Sequence, residues 1–545
     1  MNNLLKRSML FPTLQILGTS RTPAALPVLS GRSALLASLL VVAGCSLAPA
    51  YKTPVAATPP AFKEAAVLTP QEAGSWKQAQ PAEDIARGEW WKVFGDAQLN
   101  DYETQALAAN QNLAAAAARL KESRAIQQTA KAALYPSLGT GFGPARQQLS
   151  PGSFDVFNGV GTAPQTVWTA QVNSSYEVDL FGRVASTVNA AKADTQQSEA
   201  LFRSVQLALQ ADVAQNYFTL RQLDAELDVF NRTVELRRQA LDFVQHRFNA
   251  GDVSELDLAQ AKSELASARS DAMTVVRQRA ASEHSLAVLL GKAPAELTVA
   301  ANPLTPVDVK IPPGLPSSLL ERRPDVTAAE RAMAAENARI GVAKAAFFPS
   351  LTLTGMGGFE SANLGSLFLW SSRTFLLGPL SGTSLNLPIF DGGLRTGNLA
   401  NARAKYEEDV ANYRQQVLVA FQEVEDNLAN LRVLEDQTQV QDQAVQASAR
   451  AAQLSRTQYE DGSVAYLDVI DNERTLLQSR LASVQLQGAQ AVSTVNLIRA
   501  LGGGWGDMPV AAANATDSAA ASAAAKLAGT AANTTIATGA TIAQK

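Results

Sequence analysis

The residue best placed for covalent chemistry is Cys45, the single cysteine of the chain. It follows an apolar stretch at 34–42 and the small residues Ala43 and Gly44, with Lys6, Arg7, Arg21 and Arg32 upstream. Basic, then apolar, then small is the order of an export signal. A thiol directly after the small pair matches the lipobox of bacterial lipoproteins, in which the sulfur is acylated and the cysteine becomes residue one. One cysteine also leaves no intramolecular disulfide in an exported chain.

Little else in the sequence resembles a reaction centre. His246 and His284 are isolated, without a second ligand at metal spacing, and read as structural. Gly357-Gly358 lacks the flanking pattern of a phosphate loop. No nucleophile–base constellation appears. These observations argue against an enzyme, a cofactor or a metal centre. A net charge of −4 without clustered Lys and Arg argues against a nucleic-acid partner.

The elements that carry these residues occur twice. AALYPSL at 132–138 returns as AAFFPSL at 345–351, and RFNAGDVSELD at 247–257 as QYEDGSVAYLD at 458–468. Gly462 stands 211 residues beyond Gly251, and Leu501-Gly502 the same distance beyond Leu290-Gly291. A tandem duplication of one large unit follows. The chain divides into a signal peptide (1–44), an acylated, extended, Pro- and Ala-rich tether (45–89), a first copy (90–300), a linker (301–321), a second copy (322–510) and a tail (511–545). The tail is Ala, Thr, Ser and Asn with almost no large apolar side chain, and is expected to be disordered.

Within each copy the hydrophobic period changes. From Leu220 an apolar stripe steps through Leu223, Leu227, Phe230, Val234, Leu241, Val244 and Phe248, interrupted only by Arg237. This is a heptad seam. A second stripe through Leu258, Ala261, Leu265, Ala268, Ala272, Val275, Leu286 and Leu289 folds back on it, so that Phe248 faces Leu258 and Leu220 faces Leu286. The result is an antiparallel hairpin turning at Gly251. The second copy repeats it around Gly462 with a more polar seam that includes Thr438, Gln441 and Ser448. No proline interrupts 183–292, so the first arm alone spans ~100 Å.

Between the rods the period is two. Trp168, Ala170, Val172, Ser174, Tyr176, Val178 and Leu180 alternate with Thr169, Gln171, Asn173, Ser175, Glu177 and Asp179. A strand over 168–180 with one apolar and one polar face suits a membrane barrel, with Trp168 and Tyr176 as candidates for its aromatic girdle. Pro136 and Pro349 each end a helix and open the first strand of a copy. Two strands per copy give four per chain, and four cannot close a barrel. In lipid an open edge leaves amides unsatisfied, so several chains must share one barrel, and three would give about twelve strands.

At this point the sequence resembles the TolC-like outer membrane efflux proteins, in the lipoprotein branch that serves resistance-nodulation-division pumps. The most specific pieces are GLPSSLLERRPDV at 314–326, LPIFDGG at 387–393 and ALGGGW at 500–505. The resemblance implies a mixed α/β membrane protein: a homotrimer whose shared twelve-stranded β-barrel continues into a periplasmic α-barrel of coiled-coil helices. It implies a passive exit duct for drugs or toxic compounds, opened when a periplasmic adaptor and an inner-membrane resistance-nodulation-division pump engage it. By resemblance to lipoprotein sorting, Ser46 after the acylated Cys45 favours the outer membrane and contact with its lipid.

The resemblance also places a gate after the glycine of the second hairpin turn, in GSVAYLDVIDNER. There Asp468 and Asp471 stand three apart on one face of a helix start, and three chains would set six carboxylates around the axis. The bland reading is that both are ordinary helix N-terminal acids. Tyr459 matches a position that helps latch the closed hairpin, or is a seam residue, and Val464 stands where some members carry a latch arginine. Arg322, Arg323, Pro324 and Asp325 are expected to start the first helix of copy two. The competing function is a structural lipoprotein bridging the envelope without a lumen, and the alternating strand argues against it.

Overall fold

The computed structural model describes residues 47–54, 59, 62–64, 89–148, 163–306, 309, 322–376 and 383–503. Cys45, the whole of the expected signal peptide and the 511–545 tail fall outside them. The main elements run α1 (Ala97–Ala109), α2 (Gln111–Ala132), β1 (Ser137–Gln147), β2 (Gln165–Val178), α3 (Arg183–Ala250), α4 (Glu255–Leu289), α5 (Pro324–Ala345), β3 (Ser350–Ser361), β4 (Arg373–Leu376), β5 (Thr383–Asn386), α6 (Leu394–Glu460) and α7 (Tyr466–Ala500). Corresponding helices of the two copies nearly match in length. α2 and α5 have 22 residues each, α3 and α6 have 68 and 67, and α4 and α7 have 35 each. None of the described helices is long and apolar enough to cross a membrane.

The heptad explains α3. Leu223, Phe230, Arg237 and Val244 are buried at successive steps of seven, and the seam partners meet as expected, with Phe248 beside Leu258 and Leu220 beside Leu286. At the middle of the rods α1, α3, α4 and α7 share a core of Leu99, Tyr217, Phe218, Leu286, Val495 and Ile498. A second core joins Met333 of α5 to Tyr413 and Phe421 of α6 and Leu497 of α7. Glu103 is fully buried on α1 with neither carboxylate oxygen hydrogen-bonded among the described residues. Loss of hydration pushes its carboxyl up to about 9.

Arg323 and Pro324 open α5 as expected. Pro324 occupies the first turn, while the buried Arg323 pairs with Asp325 and with Glu423 of α6, 2.6 Å each, and donates to the Ala500 carbonyl at 3.1 Å. The Arg323 guanidinium and the Val326 N–H hold the Asp325 carboxyl below its ordinary range despite burial. One short motif thereby ties the start of copy two to the end of its last helix.

The strands form one antiparallel sheet in the order β1-β2-β3, with β4 and β5 both on the far side of β3. Pairing aligns side chains by face. Thr140, Phe142 and Pro144 of β1 stand opposite Val172, Ala170 and Trp168 of β2. Val172, Tyr176 and Val178 in turn stand opposite Gly357, Leu353 and Leu351 of β3. The other face carries Gln171, Asn173, Ser175 and Glu177 with Thr352, Thr354 and Glu360. Trp168 and Tyr176 lie eight residues apart on the apolar face, ~27 Å at strand rise, one near each end of an apolar band.

Two details differ from expectation. β2 covers 165–178, not 168–180. It ends early because the Asp179 carboxylate accepts the N–H groups of Val184 (3.1 Å) and Ala185 (2.7 Å), drawing the chain into the start of α3. The fourth strand comes in two pieces: Leu376 pairs with Met356 and Thr383 with Leu353. Leu376 and Thr383 are seven apart in the chain while their partners Met356 and Leu353 are three apart, so β4 and β5 do not continue one register along β3.

Described parts of the tether lie along copy two. The Pro49 carbonyl accepts from Asn337 Nδ2 at 2.8 Å, and the Tyr51 hydroxyl donates to Glu330 at 2.5 Å. Phe62 is buried beside Val326 and Phe421, and the N–H groups of Lys63 and Glu64 both donate to the Glu425 carboxylate. Ala48 packs against Gly341, four residues before α5 ends and nine before β3 begins.

Candidate functional site at the hairpin tips

Each hairpin turns on a glycine held left-handed, Gly251 at φ 81° and Gly462 at φ 73°. There a side chain would be strained. The Gly251 N–H donates to the Phe248 carbonyl and that of Asp252 to Arg247. Gly462 and Ser463 repeat this toward Tyr459 and Gln458. Both expected turn glycines thus terminate the long helices by satisfying their last carbonyls.

Beyond the turns the copies diverge. Ser254 and Asp257 form a reciprocal capping box: the Ser254 hydroxyl accepts from the Asp257 N–H at 3.3 Å, and the Asp257 carboxylate accepts from the Ser254 N–H at 3.1 Å. In copy two Ala465 occupies the cap position and offers no side-chain acceptor. Only half the device remains, the Asp468 carboxylate accepting the Ala465 N–H at 3.1 Å. Asp468 therefore does the capping work of the bland reading, while its side chain stays exposed. Asp471, one turn on, is 64% exposed, and its carboxylate is 3.7 Å from Arg474.

Tyr459 belongs to a different cluster. It is buried with Val244, Leu258, Ala261, Tyr466, Val469 and Ile470, where the two hairpins meet. Its ring lies 5.2 Å from that of Tyr466, and the Arg247 guanidinium of α3 sits 5.3 Å above it. Its hydroxyl makes no hydrogen bond of good geometry among the described residues. Burial raises the Tyr459 pKa, and the charge of Asp257 adds to this while that of Arg247 opposes it. A groove of about 190 Å³ between α3, α6 and α7 opens beside this ring, lined by Phe243, Arg456, Tyr459, Tyr466 and Glu473. Val464 packs at the edge of the same cluster and supplies no charge.

One further constellation is a clamp. Glu264 of α4 pairs with Arg237 of α3 at 3.0 Å and with Arg474 of α7, and Arg237 also donates to the Glu264 carbonyl at 2.8 Å. The residue that interrupts the heptad seam is buried there with its counter-charge. A charged residue at a seam position is the sequence signal that marks it; the link to Arg474 has none. His246 and His284 are both exposed on their helices.

Helical rods about 100 Å long, running out of a sheet with one lipid-compatible and one water-compatible face, define a TolC-like channel subunit. The family model described as outer membrane efflux protein matches residues 104–292 and again 315–503, and the chain belongs to that family. The two matches are the tandem duplication. The chain is 34% identical over 470 residues to the cation efflux system protein CusC of Escherichia coli, covering 86% of this chain and 97% of the relative. It is also 34% identical to the toluene efflux pump outer membrane protein TtgC of Pseudomonas putida, covering 86% of this chain and 95% of the relative. Among solved structures, the open state of the Neisseria gonorrhoeae MtrE outer membrane channel superimposes with a TM-score of 0.71 at 28% identity, covering 84% of this chain and 98% of that one. The protein is an outer-membrane channel and exit duct of an efflux system.

Proposed function

We propose that three copies close one twelve-stranded barrel and one periplasmic tunnel, which a periplasmic adaptor and an inner-membrane resistance-nodulation-division pump open from below. The observation that carries this reading is the sheet itself. Its apolar face extends from β1 to β4 and β5, and among the described residues neither outer edge has a partner within the chain. Edge amides in lipid cost several kcal/mol each, so the edges must pair between copies.

In this reading the duct makes and breaks no bond, and its cargo is chosen by the pump that feeds it. Relatives named for a cation and for toluene are consistent with one architecture serving unlike solutes. Asp468 and Asp471 ring the closed end and favour cations, and Tyr459 holds the second hairpin against the first. Cys45 is acylated. Ala48, three residues after Cys45 in the chain, packs on α5 near the end that leads into the sheet.

The test is planar-bilayer conductance of the purified full-length protein, with its mass determined in detergent. A trimer with voltage-dependent conductance is expected, and D468A/D471A should change conductance and cation preference. A monomer without conductance would overturn the assembly. Unchanged selectivity in the double variant would remove the gate assignment alone.

A further inference from the structure

The register of the sheet separates charge at the end farthest from the helices. Arg146 lies opposite Thr166, on the same face as Phe142 and Trp168. Arg373 lies opposite Phe359, again on the apolar face. Glu360, the one acid among the described residues of this end, lies on the polar face. Two arginines thus stand at the outer rim of the lipid-facing surface with no described acid on that surface.

The β3–β4 connection adds an aromatic ledge. Phe368 packs edge-on against Phe359, 5.6 Å between centroids, which sets the connection against the apolar face of the sheet. Phe368 is 66% exposed and Trp370 74% exposed. The Arg373 guanidinium stacks on the Trp370 ring and donates from Nε to the Trp370 carbonyl at 2.7 Å. Phe142 and Trp168 continue the ledge across β1 and β2, 6.3 Å apart. Apolar rings with cations just above them suit a boundary where acyl chains meet anionic headgroups.

We propose that this rim binds a phosphate-bearing lipid of the outer leaflet, with Arg146 and Arg373 on its phosphates and Phe142, Trp168, Phe368 and Trp370 against its acyl chains. Arginine suits the task because its planar fork can engage two phosphate oxygens at once. The inference rests on the outer-membrane location and is independent of the gate.

Full-length protein in phosphatidylcholine nanodiscs doped with bisphosphorylated lipid A tests it, with retained lipid read by native mass spectrometry. Wild type should retain lipid A on the order of tenfold better than the R146Q/R373Q variant, with R146K/R373K intermediate and phosphatidylcholine unchanged in all. Wild type should also retain dephosphorylated lipid A far less well than the bisphosphorylated form, an arm that needs no variant to fold. Equal retention of the phosphorylated and dephosphorylated forms overturns the proposal. So does displacement of lipid A by millimolar inorganic phosphate, which would mark a free-anion site. Conductance measured on the same samples reports separately on the duct.

Discussion

The two hairpins descend from one duplicated unit, yet each is tied by a different ion pair: the buried Arg237–Glu264 pair in the first, and Arg456 of α6 with Glu473 of α7 in the second. α3 buries a side chain at each heptad from Leu223 to Val244 and pins α4 through Arg237 and Glu264. The corresponding positions in copy two are Ser448 and Thr475, which carry no charge. In the protomer α6 buries nothing between Val424 and Ser448. The first turn has a complete capping box and the second half of one. The duplicated rods thus differ in where their charges pair, at a buried mid-seam position in the first and close to the turn in the second, and the second carries Asp468 and Asp471.

Breaking the clamp is the largest expected perturbation. E264A strands the buried Arg237 and releases Arg474, and should cost about 3–5 kcal/mol in local stability, seen as faster amide exchange in α3, α4 and the start of α7. Adding R237L should recover part of that loss. Exchange unchanged in E264A would show that the first hairpin owes its stiffness to apolar packing alone.

The equatorial core provides a control of about 1–3 kcal/mol that should leave both tips untouched. Native Glu103 keeps a proton that the unfolded chain releases above the ordinary carboxylate range. Stability should therefore fall as pH rises from about 4.5 toward about 9. E103Q should flatten that slope in thermal melts while tip exchange stays the same.

Smaller changes sharpen the contrast at the turns. A465S completes the second capping box and should slow exchange at the start of α7 by about 1 kcal/mol, while S254A should cost the first hairpin a similar amount. Y459F removes a buried hydroxyl that has no partner among the described residues, so stability should hold or rise by up to about 1 kcal/mol. A large loss in Y459F would place an unrecognised partner on that hydroxyl.

Local periodicity made most of the architecture legible. The heptad of 220–248, the alternation around Trp168 to Val178 and the turn glycines each depend on neighbours a few residues away, and each appears where the sequence places it. The boundary at Val178 was missed because Asp179 continues the alternation in type while its carboxylate serves the helix that follows. The two-piece fourth strand was missed because the mismatch in spacing between Leu376 and Thr383 and their partners Met356 and Leu353 exists only in the pairing with β3.

By itself, the sequence determined the duplication, the rods and the two-faced sheet, since these follow from spacing along one chain. Tertiary structure decided the packing of the tether on α5 and α6, the union of Glu264 with Arg474, and the setting of Arg373 beside Trp370 on the apolar rim. Glu264 and Arg474 are 210 residues apart. Contacts over such separations depend on how whole helices and strands come to rest against one another, and no local pattern of residue types encodes that.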